Sequence, residues 1–323
     1  MYASDGSTDV GASVFAFLGS EIRLQILDAL YKRTVGPGPM ANTVTYSTIR
    51  EDVGIEDSGR FNYHLDKLTG QFVEQYNDGY RLREAGREVI RIHRTGILSK
   101  DPTIEFEPID ATCYFCGANV EVGYDDGQLV TRCPGCQGGF EHELAPKGTL
   151  TILAYPPSGV ESNDLETAFR RAHRRFEHQV VMMGNGFCTR CGADVSATIR
   201  VCDDERFESM DTWAEDPTAT EESPDSMGEM SDWLHYPGVI EFTCQLCGIY
   251  QLAPPLQGVL DAEPVATILA ERDVEPGWER LAELIQWPVV AVDGRLGFEA
   301  PTGELLIVTE DLEVSRQPSK TAE

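Results

Sequence analysis

Ser58-Gly-Arg-Phe-Asn-Tyr-His-Leu-Asp-Lys-Leu68 is the stretch on which the reading of the first hundred residues turns. Phe61, Leu65 and Leu68 recur at i, i+4 and i+7, so a helix capped by Asp57 or Ser58 buries them on one stripe. That leaves Arg60, Tyr63 and Lys67 on the open face, with Asn62 and His64 at its edges and Gly70 just beyond its end. Upstream, residues 13–31 carry Leu18, Ile22, Leu27 and Leu30 at helical spacing, and Gly36-Pro37-Gly38-Pro39 then breaks the chain. Residues 44–46 read as a short extended piece, after which Ser47 can cap a brief helix carrying Ile49 and Val53 that Gly54 terminates. Downstream, residues 72–76 and 80–83 are extended runs joined by Asn77-Asp78-Gly79, a hairpin signal. A last helix, residues 84–95, brings Val89 and Ile90 for packing.

Helix, short helix, helix, hairpin, helix is the order of a winged helix-turn-helix, and residues 12–98 resemble the ArsR-like family of prokaryotic regulators. The most specific stretches are Leu18-Gly-Ser-Glu-Ile-Arg-Leu-Gln-Ile-Leu-Asp-Ala-Leu30 and the one quoted above. The resemblance implies a homodimer built on the first and last helices, the third helix in the major groove of double-stranded DNA, and the hairpin as a wing on the backbone. The residues agree chemically. Arg60 can fork onto guanine, Asn62 can pair with adenine edges, Lys67, Arg81 and Arg83 suit phosphates, and Tyr63 and His64 suit either, with Ser58 beside them at the helix start. The plain alternative is a solvated charged face; fold order and wing chemistry together favour DNA. Some members of the family sense metals through cysteines in this domain, but here no cysteine precedes Cys113.

Charge divides the chain. Its 323 residues hold 54 acidic and 26 basic side chains, a net charge of -28, yet the first hundred are close to neutral and the rest carry nearly the whole excess. Lysine supplies only 5 of the basic residues. An acid-rich, lysine-poor surface is what cytosol filled with molar salt demands, because repulsion there is screened within about 3 Å. In such salt the counterion-release term of DNA binding is largely lost, so a near-neutral reading domain is acceptable. The apolar content is enough for a normal core, which excludes wholesale disorder. No apolar run is long enough to cross a membrane, and the acidic start, with Asp5 and Asp9 and no basic residue before Arg23, is unlike a secretory signal. The expected location is cytoplasmic.

All nine cysteines lie between positions 113 and 247, eight of them as C-x-x-C pairs: Cys113/Cys116, Cys133/Cys136, Cys188/Cys191 and Cys244/Cys247. Such spacing lets two thiolates face one ion, and four in a tetrahedron suit zinc. Sixteen residues separate Cys116 from Cys133, the spacing of a four-cysteine ribbon whose hairpin turns at Asp125-Asp126-Gly127. Cys191 and Cys244 are 52 residues apart, a length explained by an insertion, residues 203–232, with 12 acidic residues and one basic, expected to be disordered. Cys202 stands alone and reads as a buried filler. Two structural zinc ions per chain are expected, each with all four positions taken by sulfur and none left for substrate.

The expected fold class is α+β: a winged helix-turn-helix followed by an acidic α+β domain with two zinc ribbons. The divisions are residues 12–98, a linker at 99–110, the first ribbon at 111–147, a strand and basic helix at 148–186, the second ribbon at 187–252, and a helix and hairpin region at 253–315. The helix over residues 163–183, with a capping box at Asn163 and Glu166, carries Arg170, Arg171, Arg174 and Arg175 beside His173 and His178. This cluster can touch DNA or an anionic effector, or pair with surrounding carboxylates. Residues 263–272 and 279–286 read as helices, and 288–292, 295–300 and 304–308 as extended runs. No nucleotide-binding, metalloprotease or serine-hydrolase motif occurs, and the six histidines have no ligand spacing, so no enzyme is expected. The whole looks like a group of regulators common in salt-loving archaea. It implies a transcriptional regulator whose acidic domain senses a ligand or contacts a protein; the alternative is an adaptor whose ribbons dock on the transcription machinery.

Overall fold

A computed structural model describes residues 19–34, 42–139, 145–201, 236, 238–292 and 295–318. The chain divides into two compact units, Met1–Lys100 and Asp101–Glu323. The expected breaker at residues 36–39, residues 13–18 of the expected first helix, Cys202 and the acidic insertion at 203–232 lie outside the described residues; Gly19 and Ser20 are not helical, so the first helix begins at Glu21 and runs to Arg33 rather than spanning residues 13–31.

The first unit runs α1 (Glu21–Arg33), α2 (Tyr46–Val53), α3 (Ser58–Leu68), β1 (Val73–Tyr76), β2 (Gly79–Leu82) and α4 (Glu84–Thr95). Asp57 caps α3: its carboxylate accepts from the N–H groups of Gly59 at 2.8 Å and Arg60 at 3.0 Å. At α2 the cap is Thr45 rather than Ser47. Its hydroxyl accepts from the Thr48 N–H at 3.3 Å, so the helix starts two residues earlier than expected and Ser47 lies inside its first turn. The hairpin pairs Tyr76 with Gly79 across a two-residue turn, and Val44 exchanges two 2.8 Å backbone hydrogen bonds with Tyr80. Ile26, Leu27, Leu30, Ile49, Phe61, Leu65, Leu68, Leu82 and Ile90 form the core, so every helix sends its apolar stripe to one centre.

In the second unit β3 (Ile104–Thr112), β4 (Asn119–Asp125), β5 (Gln128–Arg132) and β6 (Thr149–Ala154) form an antiparallel meander. The β4–β5 turn has Asp126 at φ 44° and Gly127 at φ 73°, the left-handed pair that a tight two-residue hairpin needs. Strand β3 corrects the expected linker at 99–110. Its acidic alternation and Pro108 resemble a linker by composition, but both are at home on an edge strand.

Helices α5 (Pro157–Glu161) and α6 (Leu165–Gly184) follow. Asp164, not Asn163, caps α6, accepting from the Thr167 N–H at 2.8 Å, while Asn163 donates to the Gly159 carbonyl at 2.7 Å. A second antiparallel sheet, β7 (Val195–Val201), β8 (Gly238–Cys244) and β9 (Tyr250–Ala253), leads into α7 (Pro255–Gly258), α8 (Glu263–Arg272) and α9 (Trp278–Ile285). The end is a meander of β10 (Val289–Val292), β11 (Arg295–Glu299), β12 (Glu304–Val308) and β13 (Val314–Pro318), the last strand not foreseen. One core cluster joins the first sheet, α6 and β8 through Tyr124, Phe169, Phe176, Phe242 and Trp278. Another lies under the last sheet, around Leu256, Ile268, Trp287, Phe298 and Leu306.

Candidate metal centres and nucleic-acid interface

The eight paired cysteines gather as two groups of four, and within each group all the sulfurs lie within 4.8 Å of one another. In the first, Cys113 and Cys116 leave β3 while Cys133 and Cys136 leave β5. The Cys113–Cys136 and Cys116–Cys133 sulfur distances are 3.7 and 3.4 Å. In the second, Cys188–Cys247 and Cys191–Cys244 are 3.6 and 3.5 Å apart. A disulfide needs about 2.05 Å. A tetrahedral ion bonded to sulfur at about 2.3 Å has sulfur–sulfur edges of about 3.8 Å. Both groups therefore have the dimensions of a four-thiolate site and can hold a metal ion, consistent with zinc.

Three of the four C-x-x-C knuckles are built alike. In each, the glycine after the second cysteine sits at positive φ and donates at 2.9 Å to the carbonyl of the first: Gly117 to Cys113, Gly192 to Cys188, Gly248 to Cys244. That turn aims backbone N–H groups at the leading sulfur, with Phe115 to Cys113 and Arg190 to Cys188 both at 3.4 Å. The Cys136 thiol, facing Cys113, pulls that residue down to about 5 against the opposing effect of burial, helped by the N–H groups of Cys116 and Phe115. Burial opposes the same shift at Cys188, which its N–H donors nevertheless bring down to about 6. The thiolate is the form that ligates. The fourth knuckle, Cys133-Pro-Gly-Cys136, closes differently: Cys133 donates to the Gly148 carbonyl at 2.8 Å, tying the metal loop to the start of β6.

In the first unit, α3 keeps Ser58, Arg60, Asn62, Tyr63 and Lys67 exposed. Asn62 donates to Asp66 at 3.3 Å, and the Lys67 ammonium lies 5.7 Å from the Tyr63 ring centre. His64 is half-buried, and α1 supplies two neighbours that sequence reasoning missed: Arg23 donates to His64 Nδ1 at 3.4 Å, and the Ser20 hydroxyl lies 3.5 Å away. Burial, then the Arg23 and Arg60 charges, lower the His64 pKa. Arg83 is exposed and donates to the Gly70 carbonyl. Arg81 does not fit the expected phosphate contact. It is 6 % exposed, paired with Glu74 at 2.6 Å and stacked 4.5 Å from the Tyr76 ring centre, because its position on β2 points it across the hairpin rather than outward.

A family model described as domain of unknown function DUF7351 matches residues 110–296, more than half of the chain. The chain belongs to that family. A second model, domain of unknown function DUF7347, matches residues 11–92 of the first unit. No curated protein and no solved structure matches the chain. No helix among the described residues is long and apolar enough to cross a membrane.

Within the DUF7351 region the first metal centre is embedded in aromatic packing. Tyr114, between Cys113 and Cys116, lies 5.1 Å from Trp278, and its hydroxyl is 2.7 Å from that of Tyr236. Trp278 Nε1 donates to the Thr112 carbonyl at 3.2 Å. Beneath the same sheet, His173 is buried with Nε2 3.1 Å from the Thr151 hydroxyl and Nδ1 3.0 Å from the Phe169 carbonyl, which fixes Nδ1 as the donor. Burial lowers its pKa to about 4. Glu177, also buried, accepts from Arg280 and from the Gly277 N–H, both at 2.8 Å, and so pins the start of α9 to α6. Apart from the i, i+4 bond of His173 to Phe169 within α6, nothing in sequence spacing marks these partners, since each joins different elements.

The arginine cluster divides. Arg170 reaches Glu166 at 2.9 Å and Glu279 at 3.4 Å, as the carboxylate-pairing reading expects. Arg171 donates to Asn163 at 2.6 Å instead. Arg174, Arg175 and His178 are exposed on the same helix face.

Proposed function

We propose that the protein is a DNA-binding transcriptional regulator whose first unit is a winged helix-turn-helix and whose DUF7351 region is a zinc-stabilised sensing or interaction domain. The observation that carries this reading is α3. Phe61, Leu65 and Leu68 hold it on the core while Arg60, Asn62, Tyr63 and Lys67 stay free of burial, with a two-stranded hairpin following it. A rigid helix with guanidinium, amide and ammonium groups outward is suited to base edges and phosphates in a major groove. Arg23 joins that face through His64, whereas Arg81 braces the hairpin. Zinc is the metal that four thiolates at these spacings favour, and a full sulfur shell makes it structural rather than catalytic.

Selection of bound fragments from genomic DNA at about molar KCl tests the reading. A short inverted repeat should be enriched, and Arg60→Ala with Asn62→Ala should abolish the enrichment. A metal-loaded, dimeric protein that enriches nothing sinks it. One observation favours an adaptor acting through protein contacts: Leu246, on a knuckle of the second centre, is 74 % exposed, and Phe187 and Tyr250 are exposed as well.

A further inference from the structure

The second unit is rich in carboxylates, and Arg132, Arg200, Arg272, Arg280 and Arg316 all pair with them. Arg132 pairs with Glu121 at 2.8 Å, Arg272 with Glu283 at 2.7 Å, and Arg316 with Glu263 at 3.2 Å. The middle of α6 gathers arginines that do not, whereas Arg190 and Arg295, also without an ion pair among the described residues, stand singly. Arg174 and Arg175 have no carboxylate within ion-pair distance among the described residues, although acidic side chains outnumber basic ones severalfold in this unit. Arg171 donates to the neutral Asn163 at 2.6 Å, and its charge also reaches the Asp164 carboxylate, outside ion-pair distance. With His178 they make one row along the exposed face of a twenty-residue helix, whose opposite face is buried through Phe169, Phe176 and Val180.

The row spans about 10 Å, because seven residues of helix rise about 1.5 Å each. It is convex. It does not line the cleft of about 500 Å³ at the start of α6, whose walls Glu107, Asp110, Asp164 and Glu166 would repel an anion. Nor does it line the cleft of about 360 Å³ beside Trp287. Lying on an exposed helix face outside both clefts, the row suits an extended anion better than a small captured one. Guanidinium groups engage phosphate oxygens in a bidentate fork, and about 10 Å measured along the duplex axis passes roughly three phosphates of one strand.

We propose that Arg171, Arg174 and Arg175 of α6 form a phosphate-backbone contact for nucleic acid, a second point of attachment outside the first unit. The inference rests on the DNA-binding reading above and assigns to the DUF7351 region a direct share in it. Because the contact is to the backbone, it strengthens binding without altering the sequence preference set by α3.

The test measures affinity of the full-length, metal-loaded protein for its selected DNA across KCl concentrations. Arg174→Gln with Arg175→Gln should reduce the slope of log affinity against log salt by up to about 1.8, at about 0.9 per lost phosphate contact, and shorten the protected footprint while leaving the selected sequence unchanged. Lys147→Gln with Arg295→Gln removes the same charge from scattered exposed positions and should leave slope and footprint as they are. An unchanged slope in the α6 variant, or an equal change in the control, overturns the inference while DNA binding by the unaltered protein still stands. Failure of the unaltered protein to bind any DNA overturns the reading beneath it. Equal weakening toward polyglutamate and DNA at matched charge concentration would overturn it in favour of an acidic protein partner. Thermal unfolding of both variants should match the unaltered protein, because these side chains are exposed.

Discussion

The two four-cysteine groups share ligand chemistry, sulfur geometry and knuckle hydrogen bonding, yet they hold different places in the fold. In the first, Cys113 and Cys133 belong to the main core cluster, Tyr114 packs on Trp278, and the ribbon hairpin is continued on both sides into a four-stranded sheet. In the second, whose cysteines alternate buried and exposed much as the first's do, the knuckle side chain Leu246 faces solvent and the sheet has three strands. The same metal chemistry can thus be a foundation at one position and a local clasp at another. What decides is the residues placed between the cysteines: Tyr-Phe in the first leading knuckle, Thr-Arg and Gln-Leu in the second group.

The largest effect should come from removing a ligand in each. Cys113→Ser removes a ligand from the candidate site in the core cluster, and structural zinc in small domains contributes on the order of 10 kcal/mol to folding. Loss of cooperative unfolding of the second unit is expected, with loss of near-ultraviolet dichroism from Trp278. Cys247→Ser should lose one of about two bound zinc ions and leave that aromatic signal in place. Equal collapse of both variants would remove the distinction between the centres. Zinc content near one in the unaltered protein would remove the second site altogether.

Acid should separate the centres next. His173, under the first sheet, has its pKa lowered to about 4 by burial, while an unfolded histidine titrates at about 6.5. Below the higher value the unfolded chain takes up a proton that the folded chain refuses. Stability is therefore complete above about pH 6.5 and declines as pH falls towards 4, by about 3 kcal/mol in all. His173→Gln should flatten that part of the profile, and comparing the two proteins cancels the carboxylates and thiols that also titrate. Among the described residues of the second sheet and its knuckles there is no histidine, so acid should release the first sheet's packing by a route the second lacks. A variant whose profile keeps its full slope would place the acid sensitivity elsewhere.

Much of this arrangement is legible in the chain because its signals are local. Periodicity placed α3, α4, α8 and β12, the Asn77-Asp78-Gly79 and Asp126-Gly127 turns fixed two hairpins, and C-x-x-C spacing grouped the cysteines correctly across a gap of 52 residues. What local signals do not reveal depends on partners far away. Strand β3 looks like a linker until β4 supplies its hydrogen bonds, Arg81 looks like a phosphate contact until Glu74 is seen opposite, and β13 has no pattern apart from its pairing with β12. Caps went astray by one or two positions, at Thr45 and Asp164, because neighbouring hydroxyl or carboxamide side chains could serve equally well on composition alone. The difference between the metal centres was hidden for the same reason: Tyr114 and Leu246 are both apolar knuckle residues, and only Trp278 and Tyr236 distinguish their surroundings.

The smallest effects give the sharpest form of the comparison, since Phe115 and Leu246 occupy the same third position of a C-x-x-C knuckle. Phe115 is half-buried, with ring centres 4.8 Å from Tyr114 and 5.9 Å from Tyr236, so Phe115→Ala should cost about 2 kcal/mol, half the range for a fully buried ring. Leu246 loses little on truncation while it stays in water, and Leu246→Ala should fall within about 0.5 kcal/mol of the unaltered protein. Denaturant unfolding of the two variants at high salt measures both. If Leu246→Ala proved as costly as Phe115→Ala, and the cost fell as the protein was diluted, the second knuckle would be covered by another copy of the chain. Its exposure would then belong to the isolated subunit alone, and the clasp would be a second foundation completed by association.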